Sequence, residues 1–106
     1  MFEILVLGTK WKVFLHDEDK YVRRHGDDSA GITIPALNEI HFNEEEFTRE
    51  VMVHELCHAF FAETCTGSAG LDSRQTEEVF CDMIGKHGDK VLRMARKLYK
   101  ELKDNV

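Results

Sequence analysis

Two histidines and a glutamate stand close together in the stretch VMVHELCHAFF, residues 51–61. An α-helix has about 3.6 residues per turn, so His54 and His58 share one face and both imidazoles can reach one Zn²⁺ at about 2.0–2.1 Å. Glu55 is rotated roughly 100° from His54, so its carboxylate can lie beside a zinc-bound water without being a ligand. The spacing predicts metal-assisted hydrolysis with Glu55 as the general base.

The pattern H-E-x-x-H also occurs by chance, and a pair of ordinary core or surface imidazoles is the alternative interpretation. The surroundings favour the metal. Phe47, Val51, Phe61 and Cys65 would lie on the histidine stripe, and other apolar residues cover much of the remaining circumference. We therefore expect a buried helix. A buried histidine pair requires polar partners or a metal ion.

A catalytic zinc site uses three protein ligands and a water. The extension H-x-x-G-x-x-H, which is typical of metzincins, is absent because Phe61 and Thr64 occupy the glycine and histidine positions. Farther along the chain, Glu78 and Asp82 are spaced i, i+4 and point the same way on a helix, with Gly85 on that face. The spacing predicts Glu78 as the third ligand and Asp82 as the acceptor of a ligand histidine's outer N–H. The neighbouring Glu77 is the weaker candidate, because it lacks an Asp four residues on.

The combination of H-E-x-x-H with a glutamate 20 residues after the second histidine, inside E-x-x-x-D, resembles the gluzincin clan of zinc peptidases. The resemblance implies that His54, His58 and Glu78 are zinc ligands and that Glu55 is the general base. It also implies that Asp82 accepts a hydrogen bond from a ligand histidine. In length the chain is similar to minimal single-domain gluzincins, including phage-associated and ImmA-like peptidases. The specific motifs cover residues 51–85.

Composition places the chain among small single-domain proteins. It has 106 residues, 42% of them hydrophobic, and a formal net charge of −6, so we expect one domain over residues 1–106. An acidic chain is a poor partner for nucleic acid. The basic residues near the end predict a solvated helix face. Three cysteines, no leader-like N-terminus and no apolar run long enough for a bilayer predict a cytoplasmic protein without a membrane span.

The pattern of the first 42 residues predicts strands. Residues 2–7 and 11–15 flank a turn at residues 8–10, and residues 31–34 and 39–42 flank a second turn that contains Pro35. Residues 16–28 predict a charged loop with room for a short helix. The pattern predicts an α+β fold with a mostly antiparallel sheet of three or four strands followed by three helices, and the resemblance implies that this fold is a minimal zincin-like domain. Because Pro35 suits an edge or a turn, one strand of the second hairpin is expected to be an edge that can pair with an extended substrate.

Three helices are predicted after the sheet. Asn43 and the acids that follow it start a metal-binding helix over about residues 44–65, which ends in the glycine-containing loop 66–70 near the site. A capping box at Asp72 to Gln75 opens a second helix that runs towards Gly88. Asp89 caps a third helix over residues 90–103.

These expectations describe a zinc-dependent peptidase whose partner is a peptide or protein substrate and whose only cofactor is Zn²⁺. A zincin-fold module that binds zinc without catalysis, and a latent, self-inhibited peptidase, are the alternatives. No motif assigns the oxyanion-stabilising residue, for which Tyr99, His87 and His41 are candidates. Cys57 points to one side of the histidine pair and is expected to be a buried free thiol, and Cys65 is expected to lie too far along the helix to reach the metal.

Overall fold

The fold is that of a computed structural model, which describes residues 1–64 and 71–104. A four-stranded sheet and three helices make up an α+β fold, as predicted. The strands are β1 (Phe2–Val6), β2 (Thr9–His16), β3 (Gly31–Ile34) and β4 (Glu39–Asn43), and the helices are α1 (Glu18–His25), α2 (Arg49–Thr64) and α3 (Ser73–Asp104).

The first hairpin is formed by β1 and β2, joined by Leu7 and Gly8. Both residues have positive φ, 49° and 89°. Two such residues in succession are what a tight two-residue hairpin turn requires. Val6 pairs with Thr9 directly across this turn. β1 therefore ends one residue earlier than predicted, and β2 begins two residues earlier.

The sheet order is β1-β2-β4-β3, with antiparallel pairing except between β2 and β4. The parallel pairing arises because β3 starts level with the end of β2 and runs antiparallel to it, so that β4 again runs in the direction of β2. A mostly antiparallel sheet is therefore confirmed. Within the described residues β3 is an edge strand, as expected for one strand of the second hairpin.

The two faces of the sheet differ in their cover. Trp11 and Val13 on β2 and Ile40 and Phe42 on β4 are fully buried and belong to the core shared with α2 and α3. The alternate residues Phe14, His16 and His41 lie on the opposite face, because successive strand side chains point to opposite sides. The short helix α1 covers that face through Tyr21, which is also fully buried.

Helix α2 begins later than predicted. Asn43 does cap a helical turn, since its Oδ1 accepts a hydrogen bond from Glu45 N at 3.1 Å, but that turn is a 3-10 segment over Glu44–Glu46. Phe47 then adopts an extended conformation, with its ring against Phe42 and Tyr99. Thr48 supplies a new cap, accepting from Val51 N through Oγ1 at 3.2 Å.

The prediction of two separate helices after α2 was wrong, because a single helix, α3, spans both. The capping box is confirmed, because Asp72 and Gln75 bond each other's backbone N–H at 2.8 and 3.0 Å. The helix then continues through Gly85, Gly88 and Asp89 to Asp104. Its buried positions, Met83, Val91, Ala95, Leu98 and Leu102, stay in helical phase across the glycines. Packing of this stripe outweighs the weak helix propensity of two glycines. No helix in the described part of the chain is both long and apolar enough to cross a membrane.

Candidate metal and catalytic site

Helix α2 presents its histidines on its open side. Met52, Leu56, Ala59 and Phe60 face the core, whereas His54 and His58 are exposed. The expectation that the histidine pair is buried was therefore wrong. The helix has one well-packed face and one open face, so the two imidazoles are accessible to solvent.

The two exposed imidazoles converge. His54 Nε2 and His58 Nε2 lie 3.2 Å apart, and the rings meet edge to face with centroids 4.9 Å apart. Two nitrogen ligands at about 2.0–2.1 Å from a tetrahedral zinc would lie about 3.3 Å apart. The pair therefore fits the chemistry and the spacing of two zinc ligands.

Glu55 lies between the histidines and the sheet. Its side chain is only 8% exposed, and one carboxylate oxygen, Oε2, is 3.8 Å from His54 Nε2. The other oxygen, Oε1, accepts a hydrogen bond of 2.7 Å from the hydroxyl of Thr33 on β3. Thr33 is also 3.2 Å from the backbone oxygen of Glu55. The carboxylate is thus held in one orientation beside His54.

Gly31 makes room for this glutamate. A Cβ placed on Gly31 would lie 3.0 Å from Glu55 Cγ and 3.2 Å from the ring of Phe42. A side chain at this position would displace the general-base candidate or a core ring. Gly31, Glu55 and His54 together line a shallow depression on the β3 side of α2.

A second depression, of about 480 Å³, lies between α2 and the start of α3. His54 and His58 form its polar side together with Ser73, Thr76 and Glu77 of α3. Phe61 and Phe80 form an apolar wall, with ring centroids 6.0 Å apart. The histidine pair therefore lies between an edge strand on one side and an apolar depression on the other.

The carboxylates of α3 do not lie where the spacing predicted. Glu78 is 70% exposed, lies 3.8 Å from Arg74, and lines a different groove with Cys81 and Asp82, to which Glu77 also contributes. Asp82 is exposed, and within the described residues nothing lies within 4 Å of a Cβ built on Gly85. The reason is helical phase: α3 buries Met83 and Val91, and residues 78, 82 and 85 fall on its other side.

Glu77, and not Glu78, is therefore the carboxylate that α3 brings to the histidine depression. Within residues 1–64 and 71–104, no Asp, Glu, Cys or further His completes a group around His54 and His58 with all ligand atoms within 4.8 Å of one another. The structure brings together two predicted ligands and the predicted base, and it leaves Glu78 and Asp82 outside.

The remaining sequence candidates are packing residues. Tyr99 packs on Phe47, His87 faces Phe60, and His41 is fully buried on the opposite side of the sheet. None of the three lines either depression beside His54. Cys57 is half-buried, and burial raises the pKa of its thiol. Cys65 and the predicted loop at 66–70 lie outside the described residues.

Sequence reasoning missed two features. Thr33 and Gly31 were assigned only to a strand, and the alternation that places them on the α2 side of the sheet was their one available signal. The second feature is a cluster of His16, His25 and His41 whose ring nitrogens lie within 4.8 Å of one another. Burial lowers the pKa of each of these histidines. Their irregular separation along the chain carries no metal-site signature.

Comparisons of the chain with known protein families, with curated proteins and with solved structures find no match.

Proposed function

We propose that this chain is a zinc-dependent peptidase of the gluzincin type, with His54 and His58 as zinc ligands and Glu55 as the general base. One observation carries the proposal. Two exposed Nε2 atoms converge to 3.2 Å on one helix face, and a carboxylate held by Thr33 lies 3.8 Å from one of them. Zinc held there would polarise a peptide carbonyl and lower the pKa of a water molecule.

Glu55 is suited to move the proton in this reaction. Its Oε1 is occupied by the Thr33 hydroxyl, which leaves Oε2 directed towards the histidines. Oε2 would take the proton from the attacking water and deliver it to the leaving amine nitrogen. Because Thr33 holds the carboxylate before substrate arrives, little reorganisation is needed for the transfer.

Glu77 is our assignment for the third ligand, in place of Glu78. It lines the same depression as His54 and His58, so a change of side-chain rotamer would bring its carboxylate towards the pair. Glu78 could replace it only if the start of α3 turned by roughly 100° about its axis. Glu78 with Asp82 remains the competing assignment, because its spacing matches the gluzincin pattern.

The substrate would lie extended along β3. This strand is the sheet edge nearest Glu55, and an extended peptide gains backbone hydrogen bonds by pairing with such an edge. The depression walled by Phe61 and Phe80 would receive an apolar side chain of the peptide. We therefore propose peptides or proteins with an apolar residue beside the cleaved bond as the substrate class.

The test compares wild type with Glu55→Gln. Glutamine keeps the size of the side chain but cannot accept the proton, so hydrolysis of a peptide library should fall at least about a hundredfold. Zinc content, measured by mass spectrometry, and melting temperature should change little. Hydrolysis that survives in a folded, zinc-loaded variant would remove Glu55 from the mechanism.

A non-catalytic zinc module is the second candidate function, and the Thr33–Glu55 hydrogen bond favours it in one respect. A glutamate that ties α2 to β3 needs no catalytic role to explain its burial. In that case wild type would bind zinc and cleave no peptide, and Glu55→Gln would act only through lower stability. A latent peptidase would also cleave no peptide when first purified, but limited proteolysis or removal of a terminal segment would activate it.

A further inference from the structure

A group of three histidines lies on the face of the sheet that α2 and α3 do not cover. His16 ends β2, His25 ends α1 and His41 lies within β4. His41 is fully buried, and the other two are partly buried. The three side chains therefore meet between the sheet and α1, away from the exposed face of α2.

The ring nitrogens of the group converge. All three residues offer a nitrogen within 4.8 Å of the others, and His16 Nε2 lies 2.8 Å from His41 Nδ1. His25 Nε2 is buried and has no hydrogen-bond partner among the described residues. A buried nitrogen without a partner is costly unless something else binds it.

The outer nitrogen of His41 is already held. Its Nε2 lies 2.9 Å from Glu39 Oε1, and Glu39 also lies 3.8 Å from Arg24. A carboxylate on the far nitrogen of an imidazole sets its tautomer and turns the other nitrogen's lone pair inward. This arrangement is common behind histidines that bind metals.

We propose that His16, His25 and His41 form a second metal site, which binds one zinc-like divalent transition metal and joins α1 to β2 and β4. Three imidazole nitrogens suit Zn²⁺ and its neighbours in the transition series and not Mg²⁺ or Ca²⁺, which prefer oxygen. A tetrahedral ion would need ligand nitrogens about 3.3 Å apart. Small changes of side-chain rotamer reach that spacing from the observed positions. The partial exposure of His16 and His25 leaves room for water as a fourth ligand.

Charged groups of both signs surround the histidine group. Asp17 interacts electrostatically with His16, and Asp27 and Glu39 do so with His25. Arg24 acts in the opposite direction, and although it is paired with Glu39, its effect on His16 exceeds that of Asp17 and its effect on His25 exceeds that of Asp27 or Glu39. A divalent ion at this site would therefore be held by its imidazole ligands and not by the charge of the surroundings.

The simplest alternative is a hydrogen-bonded imidazole group without a metal. One N–H shared between His16 and His41 would satisfy both of those rings. It would leave His25 Nε2 without a partner, and it would give no reason for the third ring to point inward. A metal ion bound by one nitrogen from each histidine would give all three rings the same partner.

The test uses a chain that lacks the α2 histidines, so that only the second site is measured. In the variant His54→Ala/His58→Ala, zinc titration by calorimetry, with zinc content by mass spectrometry, should show one remaining equivalent. Adding His25→Gln should abolish it. Adding Glu39→Gln should weaken it by about 10–100-fold, because the outer partner of His41 is altered. His87→Gln is the matched control, since His87 is also partly buried with an unpartnered ring nitrogen among the described residues.

Circular dichroism of each variant would confirm folding, and His16→Gln would replace His25→Gln if the latter unfolds. Zinc X-ray absorption of the double-alanine variant should show nitrogen ligands. The proposal is overturned if that variant binds no zinc, or if folded His25→Gln and His16→Gln keep full affinity. It is also overturned if His87→Gln loses as much zinc as His25→Gln. These outcomes are independent of the peptidase proposal, because the α2 site has been removed in every chain that is compared.

Discussion

Glu55 joins the candidate chemistry to the sheet. Its backbone belongs to α2, its carboxylate is bound by Thr33 of β3, and Gly31 leaves the space that it fills. A neighbouring hydroxyl determines which oxygen faces His54. At the scale of single residues, the site therefore depends on Thr33 and Gly31 as well as on the three motif residues.

The choice between Glu77 and Glu78 can be tested with paired substitutions. Loss of a residue that only hydrogen-bonds a metal ligand lowers metal affinity by roughly 10–100-fold. Glu77→Gln should lower zinc affinity by more than this, because it removes a ligand. Glu78→Gln should leave affinity nearly unchanged, since it alters only an exposed ion pair with Arg74. Zinc titration of both proteins, in a chain carrying His25→Gln, measures the difference. The opposite result would restore Glu78 and require a rotated start of α3.

Thr33→Val removes the hydroxyl that holds Glu55. Because a hydrogen bond to a charged group contributes about 1.5–3 kcal/mol, we expect a loss of this size in the free energy of unfolding together with a fall in peptide cleavage. Thr9→Val is the matched control. Thr9 also lies on a strand and donates to a glutamate of α2, Glu63, at 3.0 Å, away from the histidines. Denaturant melts and cleavage rates should show that both variants lose stability and that only Thr33→Val loses activity beyond its unfolded fraction.

At the scale of elements, α2 and α3 determine what the histidines face. The start of α3 supplies Ser73, Thr76 and Glu77 to the depression, and its remainder packs on α2 and the sheet. Because α3 is one continuous helix, the direction of its buried residues fixes the direction of every other side chain on it. The burial of Met83 to Leu102 therefore determines which side of residues 73–80 faces α2. A break at Gly88 would free the two parts from each other.

Gly85→Ala tests this continuity. Gly85 lies in the exposed interior of α3, and the described residues leave space for a Cβ, so alanine should raise the free energy of unfolding by about 0.5–1 kcal/mol. Gly26→Ala is the contrasting control. Gly26 ends α1 with φ 83°, where a Cβ costs about 1–2 kcal/mol. Urea melts should show opposite signs. Destabilisation by Gly85→Ala would indicate a close helix contact or a break at this position.

At the scale of the whole molecule, both candidate sites are built on one sheet. The face towards α2 and α3 carries the core and the partners of Glu55, and the opposite face carries His16 and His41 beneath α1. The core includes residues from Val6 to Leu102, so strands and helices bury one another. Neither α2 nor α1 would hold its histidines in place without the sheet.

The single tryptophan provides a test of this shared core. Trp11 is fully buried, and its Nε1 donates to Glu63 of α2 at 2.8 Å. Because sheet and helices share one core, unfolding should be cooperative. Thermal melts followed by Trp11 fluorescence and by helical circular dichroism should give the same midpoint in metal-free protein. A helical signal that outlasts the fluorescence change would show that α3 is stable apart from the sheet.

The sequence by itself determined the local features. The period of the apolar residues predicted both hairpins and the α+β class, and Asp72 and Gln75 predicted a cap that is present. The spacing of His54, Glu55 and His58 predicted that two imidazoles would converge. Each of these depends on residues close together in the chain, where helix and strand geometry alone relate one side chain to the next.

Tertiary structure decided what those elements face. Burial of Met83 and Val91 placed Glu77 at the edge of the histidine depression and left Glu78 outside it, a difference of one residue that spacing cannot reveal. The same packing keeps α3 helical through Gly85 and Gly88. Parallel pairing of β2 with β4 brought His16 beside His41, and α1 added His25. Contacts between distant segments depend on the summed burial of the whole chain, so no local pattern records them.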